Sequence, residues 1–412
     1  MEVTDEVLAR EVERQLEVLR LGTVDFFGED ELRPRLAEAL RAGRPLRAKL
    51  GMDPSAPDLH LGHTVVLQKL KLLQDLGHTP IFLVGDFTAR IGDPSGKKKT
   101  RPALDADAVR KNAETYVDQV GRILDTSRAE VRFNSEWMSA MAAADMVRLC
   151  SKYTVARLLE RDDFAKRHKA GVAISVHEFL YPFVQAYDSV ALESDIEIGG
   201  SDQTFNLLMA REIQRDYGQP PQAVLTHPLL VGLDGSEKMS KSLGNSIAIS
   251  DPPDEIYGKI MCLSDALMLD YYDLLSAGEW DELADARAQL GEGRGDPMGF
   301  KQALAERLVA RFHDAAAGTA AADHFRRVIQ DKGVPEELPE TALAAGPDGD
   351  RGLLELLEEL GLVASRGEAR RLVNQGAVSI DGRGVEAPTL RLAPGAYLIK
   401  VGKRRFARVR LE

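Results

Sequence analysis

The segment from residue 45 to residue 87 restricts the possible folds of this 412-residue chain more than any other part. It opens with the alternating run PLRAKLGMD and closes with the continuous apolar run TPIFLVGDF, which is typical of a strand buried in a parallel sheet. Between them, HTVVLQKLKLLQDLG has apolar residues at helical spacing and stops at Gly77. The pattern predicts a βαβ unit and a nucleotide-binding type of α/β fold with a Rossmann-like parallel sheet.

Two later regions extend this architecture. AVLTHPLLVGL, residues 223–233, predicts a further pair of strands, and DEIYGKIMCLSDALMLDYYDLL and GFKQALAERLVARFHDAAAG are amphipathic at helical spacing. We therefore expect a Rossmann-like domain with an N-terminal helix and a connective insertion over residues 1–245, followed by a helical domain over residues 246–331.

Charge sets the last part of the chain apart. Residues 351–412 hold twelve Lys or Arg against seven acidic residues, whereas the whole chain has a net charge of −12. The stretch rich in Pro, Gly and Ala just before them predicts a linker over residues 332–350. A small basic domain over residues 351–412 is therefore tethered to an acidic body.

Several classes of protein are disfavoured. No apolar run approaches a membrane span, and the acidic, amphipathic N-terminus is unlike a signal peptide, which indicates a cytoplasmic protein without a membrane partner. Cys150 and Cys262 stand alone, so neither a disulfide framework nor a cysteine-ligated zinc is expected. A Walker A loop is also excluded, because only three residues separate Gly92 from Gly96 in IGDPSGKKKTR.

The first chemical motif, GMDPSAPDLHLGH, lies between the first strand and the helix of the βαβ unit. Ligands of open parallel sheets bind beyond the carboxyl ends of the strands, where the next helix presents free N–H groups. His60 and His63 would then lie near a bound phosphate, and Gly62 leaves room for a flat ring. Either histidine alone would suit an ordinary helix-entry loop. A metal site is a weaker alternative, because no Glu or Cys accompanies the pair in register.

The second motif, GSEKMSKSLGN, places Lys238 and Lys241 three residues apart between the glycines at 235 and 244. Cations on a loop that can close are suited to a triphosphate, because they stabilise the charge that builds up as pyrophosphate leaves. In isolation, the same pattern would be a solvated lysine loop.

HLGH and KMSKS, in this order on a βαβ framework, resemble the paired signatures of class I aminoacyl-tRNA synthetases. The resemblance implies that His60, His63, Lys238 and Lys241 act on ATP, which enters as a substrate with Mg²⁺ and without a tightly bound metal. It also implies contacts to ATP from residues in and around the motifs, namely Gly51, Asp53, Ser55, Gly62, Gly200, Asp202, Met239, Ser240 and Ser242.

YPFVQAYDSV and IGGSDQTFN look like the corresponding stretches of tyrosyl-tRNA synthetases, and the similarity covers essentially the whole chain. Tyr181, Gln185 and Asp188 share one helical face. In that family the first two, with Asp93, hold the substrate ammonium, and the third accepts a hydrogen bond from the phenol. The resemblance also makes Gln203 a pocket residue and Lys97 and Arg101 pyrophosphate contacts, and it implies a homodimer.

The sequence departs from the family pattern at two positions. A tyrosine that binds the phenol in many bacterial members is replaced by Lys49, and the usual tryptophan after Asp-Gln is Thr204. No editing domain is visible, and none is required, because a buried acceptor for the hydroxyl already rejects phenylalanine.

SRGEARRLVNQGAVSIDGRGV, in the basic domain, resembles the small RNA-binding fold shared with a ribosomal small-subunit protein. Arg366, Arg370 and Arg371 are the expected contacts to the tRNA backbone. Together these resemblances imply a tyrosine–tRNA ligase with tRNA(Tyr), tyrosine and ATP as its partners, and a helical domain over residues 246–331 on the anticodon side of the tRNA. A tryptophanyl enzyme and a non-catalytic RNA-binding relative are the alternatives.

Overall fold

The computed structural model describes residues 5–94, 106–276, 278–327, 338, 340–346, 349–385, 387–402 and 405–412. The chain forms two compact units, Met1–Leu304 and Ala305–Glu412. The helix Pro297–Phe312 runs through the boundary between them. The four-part division expected from the sequence stays a prediction, except that the expected linker over residues 332–350 contains a strand, Glu340–Leu343, which pairs with the last strand of the chain.

The first unit is built on a six-stranded sheet in the order β1-β6-β5-β2-β3-β4. All neighbouring strands are parallel except the β1–β6 pair. Apolar residues of the central strands are buried, as the continuous run at residues 79–87 predicts. The strands are β1 Asp25–Phe27, β2 Arg47–Met52, β3 Thr79–Val84, β4 Glu130–Phe133, β5 Ile196–Gly200 and β6 Ala223–His227. The expected βαβ unit and parallel sheet are confirmed.

Helices cover this sheet and form the insertion that follows β4. The longest, α10, begins with a capping box in which the Ser175 backbone N–H donates to Glu178, and it packs extensively against α11. The helices are α1 Asp5–Arg20, α2 Glu29–Ala42, α3 Leu61–Asp75, α4 Thr88–Ile91, α5 Ala106–Val120, α6 Ser135–Met138, α7 Ala143–Cys150, α8 Val155–Leu158, α9 Asp162–Lys169, α10 Val176–Leu192 and α11 Thr204–Asp216.

The chain after β6 differs from the sequence prediction in one place and is helical beyond it, as predicted. The expected strand pair at residues 223–233 is wrong: only β6 forms, and Val231 makes an isolated bridge with Lys238. The long amphipathic run at residues 254–275 is two helices, because Ser264 caps a new helix by accepting from the Leu267 N–H. The helices here are α12 Pro253–Met261, α13 Asp265–Leu275, α14 Asp281–Gly291, α15 Pro297–Phe312 and α16 Ala315–Phe325.

The second unit ends in a small α+β domain, as predicted. Its sheets run β10-β9-β12-β13-β7 and β11-β8, and its own apolar core includes Leu353, Val373 and Ile399. Within the described residues, no helix is long and apolar enough to cross a membrane. The elements are β7 Glu340–Leu343, β8 Arg351–Gly352, α17 Leu353–Glu359, α18 Arg366–Asn374, β9 Val378–Ile380, β10 Arg383–Gly384, β11 Arg391–Leu392, β12 Gly395–Val401 and β13 Arg405–Leu411.

Candidate active site

A cavity of about 400 Å³ opens where the strand order of the first unit reverses, between β2 and β5. Ligands of open α/β sheets bind at such a point because the loops after the two strands diverge there. The structure brings together in this cavity every described residue predicted for ATP or tyrosine: Gly51, Asp53, Ser55, His60, Gly62, His63, Asp93, Tyr181, Gln185, Asp188, Gly200, Asp202, Gln203, Lys238, Met239, Ser240, Lys241 and Ser242. Lys97 and Arg101 lie outside the described residues.

The two histidines stand at the start of α3. His60 precedes the helix, its backbone N–H donates to His63 Nδ1 at 3.1 Å, and the rings stack 3.8 Å apart. A side chain at Gly62 would lie 3.0 Å from the His60 ring, so glycine permits this packing. Burial, with a smaller effect of the Lys241 ammonium, lowers the pKa of His60 to about 4. Burial also lowers the pKa of His63 well below its usual value, so the pair offers neutral imidazoles at neutral pH, which can donate N–H bonds to phosphate.

The lysine loop, residues 235–245 of the second motif, is fixed by hydrogen bonds of Asn245, and both of its lysines are in ion pairs. Asn245 Oδ1 accepts from the Ser240 N–H at 2.8 Å, while the Asn245 amide donates to Asp234. Lys238 Nζ donates to Asp202 at 2.7 Å, and Lys241 Nζ donates to Asp58. Both ammonium groups thus point to the cavity wall, at ion pairs that are partly exposed and individually weak.

Asp53, which follows β2, is fixed by two hydroxyl groups. Tyr181 donates to Oδ2 at 2.9 Å and Thr88 to Oδ1 at 2.6 Å. A Cβ at Gly85 would collide with both Asp53 and Thr88, so this contact requires glycine. Sequence reasoning did not identify Thr88 or Gly85 as site residues.

A second polar group surrounds Gln203. Its amide donates to Asp93 at 3.0 Å, and Asn206 donates to both Gln203 and Gln185, at 3.0 and 2.9 Å. The carboxylate of Asp93 also lies 3.9 Å from Arg161. The carbonyl and carboxylate oxygens collected here suit a substrate ammonium, the role that the resemblance implies for Asp93 and Gln185.

Asp188 lies at the buried end of the cavity, and both of its oxygens are held. Trp137 Nε1 donates to Oδ1 at 2.8 Å, and Asn134 Nδ2 donates to Oδ2 at 3.3 Å. Burial raises the pKa of Asp188 to about 7, against the opposing attraction of the Lys49 ammonium. Sequence reasoning missed Trp137 and Asn134, because they follow β4 some fifty residues earlier and carry no local signature.

The two departures from the family pattern have different surroundings. Lys49 is fully buried on the cavity floor, with its Nζ 2.8 Å from Glu197 Oε1. Thr204 begins α11, and its hydroxyl donates to the Ser201 carbonyl at 2.8 Å. Lys49 therefore belongs to the site, in an ion pair that the sequence did not reveal.

In the basic domain, the three predicted arginines differ in their pairing. Arg366 Nε donates to Glu358 at 3.1 Å, whereas Arg370 and Arg371 lie exposed on α18.

Among all the residues that the structure describes, no three or more His, Cys, Asp or Glu side chains are grouped to hold a metal ion.

Comparison with known proteins agrees with this architecture. A family model described as tRNA synthetases class I (W and Y) matches residues 41–330, and an S4 domain model matches residues 351–396. The fold and the site thus define a class I tRNA synthetase. Tyrosine–tRNA ligases of Bordetella pertussis and Geobacter sulfurreducens are 51% and 52% identical to this chain, covering 97% and 96% of it and 97% and 98% of their own lengths. The chain belongs to the tyrosine–tRNA ligase family.

A solved structure supports the same assignment. The tyrosyl-tRNA synthetase of Archaeoglobus fulgidus, a crystal structure with L-tyrosine, is 25% identical to this chain. It aligns with a TM-score of 0.61 over 74% of this chain and 99% of its own.

Proposed function

We propose that the protein activates tyrosine with ATP to tyrosyl-adenylate and transfers the tyrosyl group to the 3′ end of tRNA(Tyr). One observation carries the proposal: the imidazole pair and the lysine loop share a single cavity with a buried carboxylate at its closed end. In the first step, a carboxylate oxygen of tyrosine attacks the α-phosphorus of ATP and the bond to pyrophosphate breaks. In the second, a ribose hydroxyl attacks the tyrosyl carbonyl, and AMP leaves.

The phosphates would be bound from two sides. His60 and His63 donate N–H bonds as neutral groups, and Lys238 and Lys241 exchange their carboxylate partners for phosphoryl oxygens as charge develops. Each lysine must give up a carboxylate partner, and the phosphoryl charge that compensates for this loss is largest in the transition state. The lysines therefore contribute more to rate than to affinity for ATP. Mg²⁺ would accompany ATP and be held mainly by its phosphates.

Tyrosine would lie with its phenol at Asp188 and its ammonium near Tyr181, Gln185 and Asp93. A phenol hydroxyl satisfies Asp188, whereas phenylalanine would leave a buried carboxylate without that partner, at a cost of about 1–3 kcal/mol or more. Gln203, which donates to Asp93, orients the ammonium acceptor. Lys97 and Arg101 remain proposed pyrophosphate contacts.

The tRNA backbone would be bound by the exposed guanidinium groups of Arg370 and Arg371, with Arg366 joining if it leaves Glu358. A tRNA substrate also supports a cytoplasmic location.

A homodimer is supported by three exposed valines on the helical insertion. The exposed fraction is 69% for Val147 on α7, 61% for Val155 on α8 and 77% for Val176 on α10. Side chains of this kind suit the buried centre of an interface with a second copy. Sedimentation of Val147→Glu and Val155→Glu tests this: both should yield monomers where the parent protein is a dimer, and a monomeric parent would refute it.

The decisive assay is pyrophosphate exchange dependent on tyrosine, tryptophan or phenylalanine. We expect exchange with tyrosine alone; equal exchange with phenylalanine would refute the substrate, exchange with tryptophan would favour the tryptophanyl alternative, and no exchange at all would favour a non-catalytic RNA-binding protein. Asp188→Ala should mainly raise KM for tyrosine, and Lys238→Ala should mainly lower kcat.

A further inference from the structure

Lys49 and Glu197 form a buried ion pair on the floor of the cavity. They are directly opposite each other in the parallel β2–β5 ladder, at 0% and 2% exposure. Lys49 Nζ lies 2.8 Å from Glu197 Oε1 and donates to Ser189 Oγ at 2.6 Å. Lysine and glutamate are rarely buried so completely, and an apolar pair would close the floor at lower desolvation cost.

The pair is connected to Asp188. Ser189 follows it in α10 and donates to Glu197 Oε2 at 3.2 Å, and Gln222 donates to the same oxygen. The ionisable groups that act on Asp188 are Lys49 from β2, Glu197 from β5 and Tyr181 from the same helix. Among these, Lys49 is the cation.

We propose that Lys49 is a specificity-determining residue of the tyrosine slot, which favours the ionised form of Asp188 that accepts a hydrogen bond from the phenol. This inference rests on the proposed function and deepens it. An ionised Asp188 without a hydroxyl partner is costlier to bury than a neutral acid, so Lys49 increases the penalty for phenylalanine. Lys49 acts through Asp188 and is therefore a positioning residue.

The electrostatics support this direction of effect. Burial raises the pKa of Asp188 to about 7, Lys49 opposes that rise, and Glu197 adds to it more weakly than Lys49 opposes it. The two members of the pair therefore have opposite influences on the same carboxyl. If the ion pair served only packing, removing the charge of Lys49 and removing that of Glu197 would not shift the pH profile in opposite directions.

The test is pyrophosphate exchange with tyrosine and phenylalanine from pH 6 to pH 9. The main variant is Lys49→Met/Glu197→Leu, because apolar replacement of both members of a buried pair is tolerated better than loss of one. We expect KM for tyrosine to rise about fivefold at pH 7, with less effect on kcat, and its pH profile to move up by about one unit. The ratio of kcat/KM for tyrosine to that for phenylalanine should fall about tenfold.

Two further variants separate charge from packing. Glu197→Gln keeps the ammonium and removes the repelling carboxylate, so its pH profile should move to lower pH with the tyrosine preference retained. Lys69→Met is the matched control, because Lys69 is also buried but donates to backbone carbonyls at the end of α1, among them Val18 and Leu21. It should lower thermal stability and leave both the profile and the preference unchanged.

The inference is overturned if the double variant keeps the parent's pH profile and tyrosine preference, or if Glu197→Gln shifts the profile upward. Should the double variant not fold, the Glu197→Gln result decides alone. Exchange by the unaltered protein with tyrosine stands independently of these outcomes, so the proposed function is judged separately.

Discussion

Replacing Asp188 with asparagine should make the stability of the protein less dependent on pH. Asp188 is buried, and burial raises its pKa from 3.8 to about 7. A carboxyl whose folded-state pKa is raised contributes stability that is fully present below the unfolded value and is lost as pH rises through the folded value. For Asp188 that window runs from about pH 4 to about pH 7. Asp188→Asn is of similar shape and does not titrate.

The magnitude follows from the shift. Ionising Asp188 in the folded state costs the parent ~4 kcal/mol across the whole window, and ~3 kcal/mol of this falls between pH 5 and pH 8. The variant has no carboxyl at this position and therefore does not lose this unfolding free energy as pH rises. It has its own cost, since the amide nitrogen replaces one of the two oxygens that accept from Trp137 and Asn134. The asparagine side chain does not titrate, so its own cost is the same at every pH. The pH dependence of the difference in unfolding free energy between variant and parent therefore isolates the ionisation of Asp188.

Urea unfolding at pH 5, 6, 7 and 8 would measure this difference. Tryptophan fluorescence is a suitable probe, because Trp137 is one of only two tryptophans and donates to Asp188. We expect the unfolding free energy of Asp188→Asn, relative to the parent, to rise by ~3 kcal/mol from pH 5 to pH 8. A difference that stays constant within ~0.5 kcal/mol would refute the assignment of a raised pKa to this carboxyl.

Three further outcomes test other parts of the molecule. Gly85→Ala should lower stability by ~1–3 kcal/mol in thermal unfolding, because its Cβ collides with Asp53, whereas Gly258→Ala, in open space on α12, should raise it by up to ~1 kcal/mol; equal effects would contradict the collision. Lys238→Ala should lower kcat of pyrophosphate exchange by about 10²–10³ with little change in KM for tyrosine, and a change confined to KM would count against transition-state stabilisation. Arg370→Ala should weaken tRNA binding and reduce its salt slope by about one in filter-binding titrations, with exchange unaltered; an unchanged slope would exclude a phosphate contact.

Much of the architecture follows from local patterns in the sequence. Apolar spacing predicted the βαβ unit, and the positions of His60 and Lys238 in their motifs on that unit indicated a triphosphate site. Periodicity is a property of neighbouring residues, so it survives without tertiary information. It failed at residues 228–233, where an apolar run predicts a strand but the tertiary structure provides only one isolated bridge.

The sequence by itself indicated the family, the βαβ unit and the residues of the two motifs proposed to bind ATP. Only the tertiary structure decided that β5 lies beside β2, which makes Lys49 the partner of Glu197, 148 positions later, and that Trp137 and Asn134 hold Asp188. These contacts join residues far apart in the chain, and their pairing is set by how the strands and helices pack together rather than by any local preference. The charges on the cavity floor, and with them the proposed basis of tyrosine selection, therefore emerge only on folding.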